Sequence, residues 1–251
     1  MNSHWEIEVT AISTNLTELI SIIIQFGIEE KDIKKLEDQG LSINHPQIHS
    51  KMKYQEAYTL AQNIITSINF IIQKFYSRPD EIIFKDLVLI SYDEKGCRHL
   101  SCELNESITF SFDTEIYIDI NGKPDAEIPA KNLTNTILNN PSVLSVVKLL
   151  SQKPEWSNFY KAIEIIAEDI GGLDKIYQFG WATKQSIKRF KHTSNSPSAI
   201  GTSEARHGID QGKPPLEPMT YGEAKALVDT ICCQWIEYKN SSICQGTDTT
   251  D

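Results

Sequence analysis

Hydrophobic and polar positions alternate most cleanly near the start of the chain. In residues 4–12, HWEIEVTAI, Trp5, Ile7 and Val9 share one face and Glu6, Glu8 and Thr10 the other. A period of two predicts a half-buried strand. The period then lengthens. Leu16, Leu19, Ile20 and Ile23 recur at helical spacing, Asn15 and Glu18 read as a capping box, and Gly27 reads as a stop. A short amphipathic turn carrying Ile28, Ile33 and Leu36 ends near Gly40. From Pro46 to about Tyr76 the stripe Tyr54, Tyr58, Ala61, Ile65, Ile68, Ile72 and Phe75 predicts a long helix, which Arg78-Pro79-Asp80 breaks. Residues 81–121 return to alternation. Strands over about 81–91, 98–104, 107–112 and 115–121, with turns between them, predict an antiparallel meander with one face on a core.

After a Gly- and Pro-bearing break at 122–129 the pattern is helical. Asn140 or Ser142 caps a helix through Leu150. Phe159, Ile163, Ile166 and Ile170 mark a second, stopped by Gly171-Gly172, and a third covers about 183–192. A loop of about 27 residues, 193–219, precedes the last helix. Loops of that length inside a domain are commonly functional. Thr220 and Glu223 form the last helix's capping box, Met219 precedes it as a staple, and Ala224, Leu227, Val228, Ile231 and Trp235 form its apolar stripe. The fold class is therefore α+β. Residues 1–128 are expected to form a domain with the meander packed on helices, 129–239 an all-α helical domain, and 240–251 a flexible polar tail.

Composition sharpens this picture at one place. The chain has 251 residues and a net charge of −10, yet residues 184–213 hold six basic residues against two acidic, a local charge of +4. An acidic protein with one basic, hydroxyl-rich segment is not a general coating for nucleic acid, but it is suited to a single anion or phosphate site. Five cysteines without a CxxC pair, no apolar run near 18 residues and no secretory leader point to reduced thiols in a cytoplasmic protein with no membrane partner.

Lys184, Lys188 and Lys191 recur on one face of the predicted helix at 183–192, with Arg189, His192 and Asn195 beside them; Arg206 and His207 follow in the loop. Lysines and Asn195 are candidates for holding a phosphate. Arg189 and Arg206 are candidates for bidentate oxyanion binding, and His192 and His207 for acid–base catalysis near neutral pH. Together these groups would suffice for metal-independent cleavage of RNA. The competing reading makes the basic stripe a solvated face, with Glu164 and Glu168 pairing Lys188, Arg189 or Arg206, and the loop a turn ordered by its own side chains.

Arg206-His207-Gly208, the Pro-rich Pro214-Pro215-Leu216-Glu217-Pro218 and the helix from Tyr221 to Trp235 give the last 100 or so residues a layout that resembles the HEPN family of small bacterial helical domains. The resemblance implies an RNA-directed function in a toxin or antiviral setting, in some members a ribonuclease; a second copy of this chain, forming a homodimer, is among the expected partners. Ribonuclease members carry Arg, four to six residues, then His. Here Arg189 and His192 are two residues apart, and Arg206 and His207 are adjacent. The alternative is a non-catalytic accessory protein that meets a protein partner through its N-terminal domain.

Other constellations are weaker. His45 and His49 lack an intervening Glu and a third ligand, and His99 with Cys97 and Cys102 reads as ordinary strand sequence, so no metal is expected. Asp113, Glu115 and Asp119 share parity near Lys123, a minor candidate for a metal-dependent nuclease. There is no GxxxxGK[ST], GxGxxG or GxSxG motif, and no cofactor is expected.

Overall fold

The computed structural model describes residues 3–11, 16–36, 40–76, 81–92, 98–101, 128–152 and 155–246. Inter-residue contacts divide these into two compact units, one up to Leu138 and one from Asn139 onward.

Strand β1 (Ser3–Ala11) is the centre of the first unit's sheet, whose order is β2-β3-β1-β4-β5 with every pairing antiparallel. The other strands are β2 (Ile33–Lys35), β3 (Leu41–Ile43), β4 (Ile82–Tyr92) and β5 (Arg98–Ser101). Trp5, Ile7 and Val9 are buried, as their alternation predicts. They lie on the face occupied by helix α2 (Tyr54–Phe75), where Tyr54 packs at 5.8 Å from Trp5 and Tyr58 edge-on at 5.1 Å from Phe84. Asn69 fastens α2 to the sheet. Its Nδ2 donates to the Ile82 carbonyl at 2.8 Å and its Oδ1 accepts the Ile82 N–H at 2.9 Å. The β1–β4 ladder shifts register between Glu8 and Val9: Glu8 lies opposite Asp86 and Val9 opposite Phe84, so Lys85 is an additional residue on β4, a bulge.

The expected turn over 28–36 holds one 3-10 turn, Glu30–Asp32, and then gives way to two strands that the pattern did not predict. β2 and β3 are three residues each, too short for periodicity to reveal, and exist because β3 pairs with β1 over Ile7↔Ile43 and Val9↔Leu41. The long helix also begins later than Pro46, at Tyr54, after a turn segment. Of the predicted meander, β4 and β5 are present. The strands placed at 107–112 and 115–121 lie outside the described residues, as does most of the 122–129 break.

Helix α1 (Leu16–Gln25) ends before Gly27, whose φ is +84°; a β-carbon there would meet the Lys131 side chain within about 2.5 Å. Lys131 belongs to α3 (Ala130–Asn139), and so this helix falls, save its last residue, in the first unit and not with the helices that follow.

Every described element of the second unit is helical: α4 (Pro141–Ser151), α5 (Trp156–Ile170), α6 (Leu173–Gln178), α7 (Lys184–Ser194), α8 (Pro197–Ile200) and α9 (Tyr221–Gly246). The local signals explain the ends. Asn140 caps α4 through the Val143 N–H, Thr183 caps α7 through Ser186, and Gly171 (φ +89°) closes α5 while the Gly172 N–H reaches back to Ala167. Thr220 and Glu223 cap α9 reciprocally. Helix α5 is central and packs on α4, α6, α7 and α9. Its buried stripe, from Trp156 to Ala167, meets Phe190 of α7, with Trp156 and Tyr160 both stacked near that ring. Trp235 of α9 is fully buried, with its indole N–H donating to Asp169 at 2.9 Å.

The expected flexible tail from 240 is corrected. Helix α9 runs on to Gly246, and the hydroxyls of Ser241 and Ser242 donate to carbonyls four residues back. The 27-residue loop is shorter too: α7 extends to Ser194 and α8 follows, leaving 201–220 between helices.

Candidate functional site

All eight residues proposed from sequence lie on or just after α7 or in the loop that follows it, but they face different partners. Arg189 turns toward the start of α9. Its Nε donates to the Glu217 carbonyl at 3.1 Å, Nη2 donates to the Pro218 carbonyl at 3.0 Å, and the guanidinium grips Glu223 bidentately at 2.8 and 3.1 Å. That guanidinium, with the Thr220 N–H and hydroxyl, holds the Glu223 carboxyl well down, at about 2. One turn on, His192 Nε2 donates to the Lys213 carbonyl at 2.9 Å, and Thr193 Oγ1 accepts the Met219 N–H at 2.9 Å. Three side chains of α7 thus hold the backbone of the 213–219 arch. Leu216 at its crest is fully exposed.

Arg206 turns the other way. Its backbone N–H is held by the Ser194 carbonyl, and its guanidinium lies 4.3 Å from the Tyr160 ring centroid, donates to the Tyr160 hydroxyl at 2.8 Å and pairs with Glu164 at 3.4 Å. Arg189 and Arg206 are therefore engaged by different partners, the start of α9 for one and α5 for the other, and they do not share a partner. His207 is half-buried and makes no hydrogen bond or ion pair among the described residues.

What the fold brings together is a cleft of about 260 Å³ lined by Lys188, Lys191, His192, Asn195, Asp210 and Lys213, with Ser196, Gln211 and Gly212 completing it. Lys188, Lys191 and Asn195 reach it because spacings of three and four place them on one side of α7. Asp210 accepts from the hydroxyls of Ser196 and Ser198, and these two, Ser196 first, hold its carboxyl below the ordinary range. The three lysines form no ion pair among the described residues, so three ammonium charges face one carboxylate, a local +2 before His192 is counted. Asn195 ends α7, and its buried Oδ1 has no hydrogen-bond partner among the described residues. Lys184, one turn before Lys188 on the same stripe, is exposed and also forms no ion pair among the described residues.

A second cleft, about 270 Å³, lies between α5 and α7, lined by Tyr160, Glu164, Glu168 and Lys191 over an apolar floor. Lys191 borders both clefts and sits 5.9 Å from the Tyr160 ring centroid. The expected pairing of Glu164 is thus met by Arg206, not by Lys188 or Arg189.

Sequence reasoning passed over Lys213 as a site residue, although it closes the charged segment. It also passed over Tyr160, whose role depends on a guanidinium 46 residues away. Phe179, Trp181 and Tyr238 form a ring cluster with centroids 4.9, 5.1 and 5.9 Å apart; Gly180 between two aromatics was the one local signal.

Elsewhere, His45 is buried, which pushes its imidazole down to about 4, and its Nδ1 accepts the Gln47 N–H. Among the described residues no three His, Cys, Asp or Glu side chains are grouped to hold a metal. Asp113, Glu115, Asp119 and Lys123, like Cys97 and Cys102, lie outside the described residues. No described helix is long and apolar enough to cross a membrane. Comparisons with protein-family models, curated proteins and solved structures gave no match.

Proposed function

We propose that the helical unit, read as a HEPN-like domain, binds a phosphate-bearing ligand, with RNA as the ligand class, in the cleft of Lys188, Lys191 and Lys213, and that it holds the ligand without cleaving it. The observation that carries this reading is the set of three ammonium groups without ion-pair partners among the described residues, around one concave site in a protein of net charge −10. Binding is favoured over catalysis because three of the four groups a ribonuclease would use, Arg189, Arg206 and His192, have other partners. Arg189 is held by Glu223 and two carbonyls, Arg206 is engaged by Tyr160 and Glu164, and the Nε2 proton of His192 goes to the Lys213 carbonyl.

The test is fluorescence anisotropy of a labelled 20-nucleotide RNA with the full chain in EDTA, comparing wild type with Lys188→Glu/Lys191→Glu and inspecting the RNA afterwards. Saturable binding, at least tenfold weaker in the variant and with a shallower salt dependence, supports the proposal. Equal binding by both proteins sinks it. RNA cleavage that Arg206→Ala/His207→Ala abolishes would establish the ribonuclease instead.

A second reading, protein docking by an accessory subunit, is favoured by the arch itself. Arg189, His192 and Thr193 hold a Pro-rich segment rigidly and present Leu216 wholly to solvent, as a preorganised anchor would be. Loss of binding to a protein partner in Leu216→Asp, with RNA affinity unchanged, would favour it.

A further inference from the structure

Resting on the phosphate-binding reading, we infer that Phe179, Trp181 and Tyr238 form a base-stacking platform, and that the ligand of the helical unit is single-stranded RNA with its bases exposed. The three rings contact one another at centroid distances of 4.9, 5.1 and 5.9 Å. Trp181 is 9% exposed and forms the base of the cluster, while Phe179 and Tyr238 leave 41% and 43% of their surfaces in solvent. A cluster that served only to join the α6–α7 turn to α9 would gain by burying these rings. Two half-exposed rings braced by a buried indole instead offer a rigid apolar face about the size of a nucleobase.

The charge beside the rings says which apolar ligand fits. Trp181 precedes Lys184 by three residues, which span at most about 11 Å. From Lys184 the stripe continues to Lys188 and Lys191, advancing about 6 Å and then about 4.5 Å along α7, and ends at the lysine-lined cleft. Lys184, Lys188, Lys191 and Lys213 form no ion pair among the described residues. An apolar protein surface would find Lys184 within about 11 Å of its contact and a line of further ammonium groups leading away from it. A single strand supplies a ring face for the aromatics and phosphates for the lysines in one chain, whereas a duplex keeps its base faces stacked inside.

The probes are labelled 12-mers of identical length: oligouridylate, an abasic ribose-phosphate chain and a blunt RNA duplex. Each is titrated against wild type, Lys188→Glu/Lys191→Glu, Phe179→Leu/Tyr238→Leu and Phe179→Trp, with circular dichroism to verify the fold. Wild type is expected to bind oligouridylate at least tenfold more tightly than the abasic chain and the duplex. Phe179→Leu/Tyr238→Leu, which keeps apolar volume but removes two rings, should bring that preference to within twofold while abasic binding stays put, and Phe179→Trp should preserve it. Equal wild-type affinity for oligouridylate and the abasic chain overturns the platform but leaves the lysine cleft standing. Equal losses for both chains in the leucine variant also overturn it. Absence of binding to any of the three overturns the platform and the phosphate-binding reading together.

Discussion

Replacing Glu6 with Gln isolates the polar cluster of the first unit's sheet. Glu6 is 1% exposed, yet Lys34 Nζ lies at 2.5 Å and His4 Nε2 at 2.8 Å from its Oε1, and Ser42 Oγ donates to its Oε2 at 2.5 Å. Burial alone pushes this carboxyl up. Hydrogen bonds from Lys34, Ser42 and His4 outweigh burial and hold it at about 2, against an ordinary 4.5. That interval corresponds to about 3 kcal/mol between the ionised and neutral forms, and screening around the half-exposed Lys34 reduces it to about 2–3 kcal/mol. Gln keeps the shape of the neutral acid and cannot ionise, so Glu6→Gln should destabilise the sheet by about 2–3 kcal/mol at pH 7. A carboxyl depressed on folding stabilises above its unfolded value and loses that contribution as pH falls toward its folded value. The gap between wild type and variant should therefore be constant from pH 7 to about 5.5 and shrink to about half or less by pH 3. Urea unfolding followed by circular dichroism across this range measures the gap, and amide exchange at Ile7 and Val9 locates it in the sheet. A gap that is independent of pH, or that widens on acidification, would refute the reasoning.

Two further outcomes are expected. Asn69→Ala leaves the buried Ile82 N–H and C=O without their partners and should cost about 2–4 kcal/mol in urea unfolding; a cost under about 1 kcal/mol would mean the amide pairing contributes little. In the second unit, carboxyl titration by NMR should find Glu223 near 2 in wild type and raised toward the ordinary carboxylate range in Arg189→Ala, because the guanidinium is the largest cause of the depression; an unmoved value would show that the Thr220 cap alone suffices.

The helical unit was largely legible because its signals are local. Asn140, Thr183, the Thr220–Glu223 pair and Gly171 sit within four residues of the helix ends they set, and the stripes of α5 and α9 repeat often enough to establish a period. β2 and β3 offered three residues each, and what makes them strands is pairing: β3 on β1, more than thirty residues distant, and β2 in turn on β3. The tail misled for a related reason: Asn240, Ser241 and Ser242 look like loop residues, but the serine hydroxyls bond within the helix and Asn240 is buried.

The candidate site divides along the same line. The basic stripe of α7 was readable from spacing, and it does meet in a cleft. What each cation faces was not. Glu223 lies 34 residues from Arg189, Tyr160 lies 46 from Arg206, and Lys213 offers His192 a carbonyl that no side-chain pattern advertises. An arginine in a list of charges looks the same whether it awaits an anion or already holds one.

The register shift in β4 has a consequence for how this chain tolerates change in length. Lys85 is the residue by which β4 exceeds its neighbour, standing between Asp86, opposite Glu8, and Phe84, opposite Val9. Removing it would let both flanking pairs persist with the ladder running straight through. Removing one residue nearer the middle, between Leu87 and Leu89, would leave Lys85 in place and turn every later side chain of β4 to the opposite face. Among single-residue deletions in this strand, the one at the bulge is the one the sheet is built to absorb, and a lineage losing a codon there would keep its core intact.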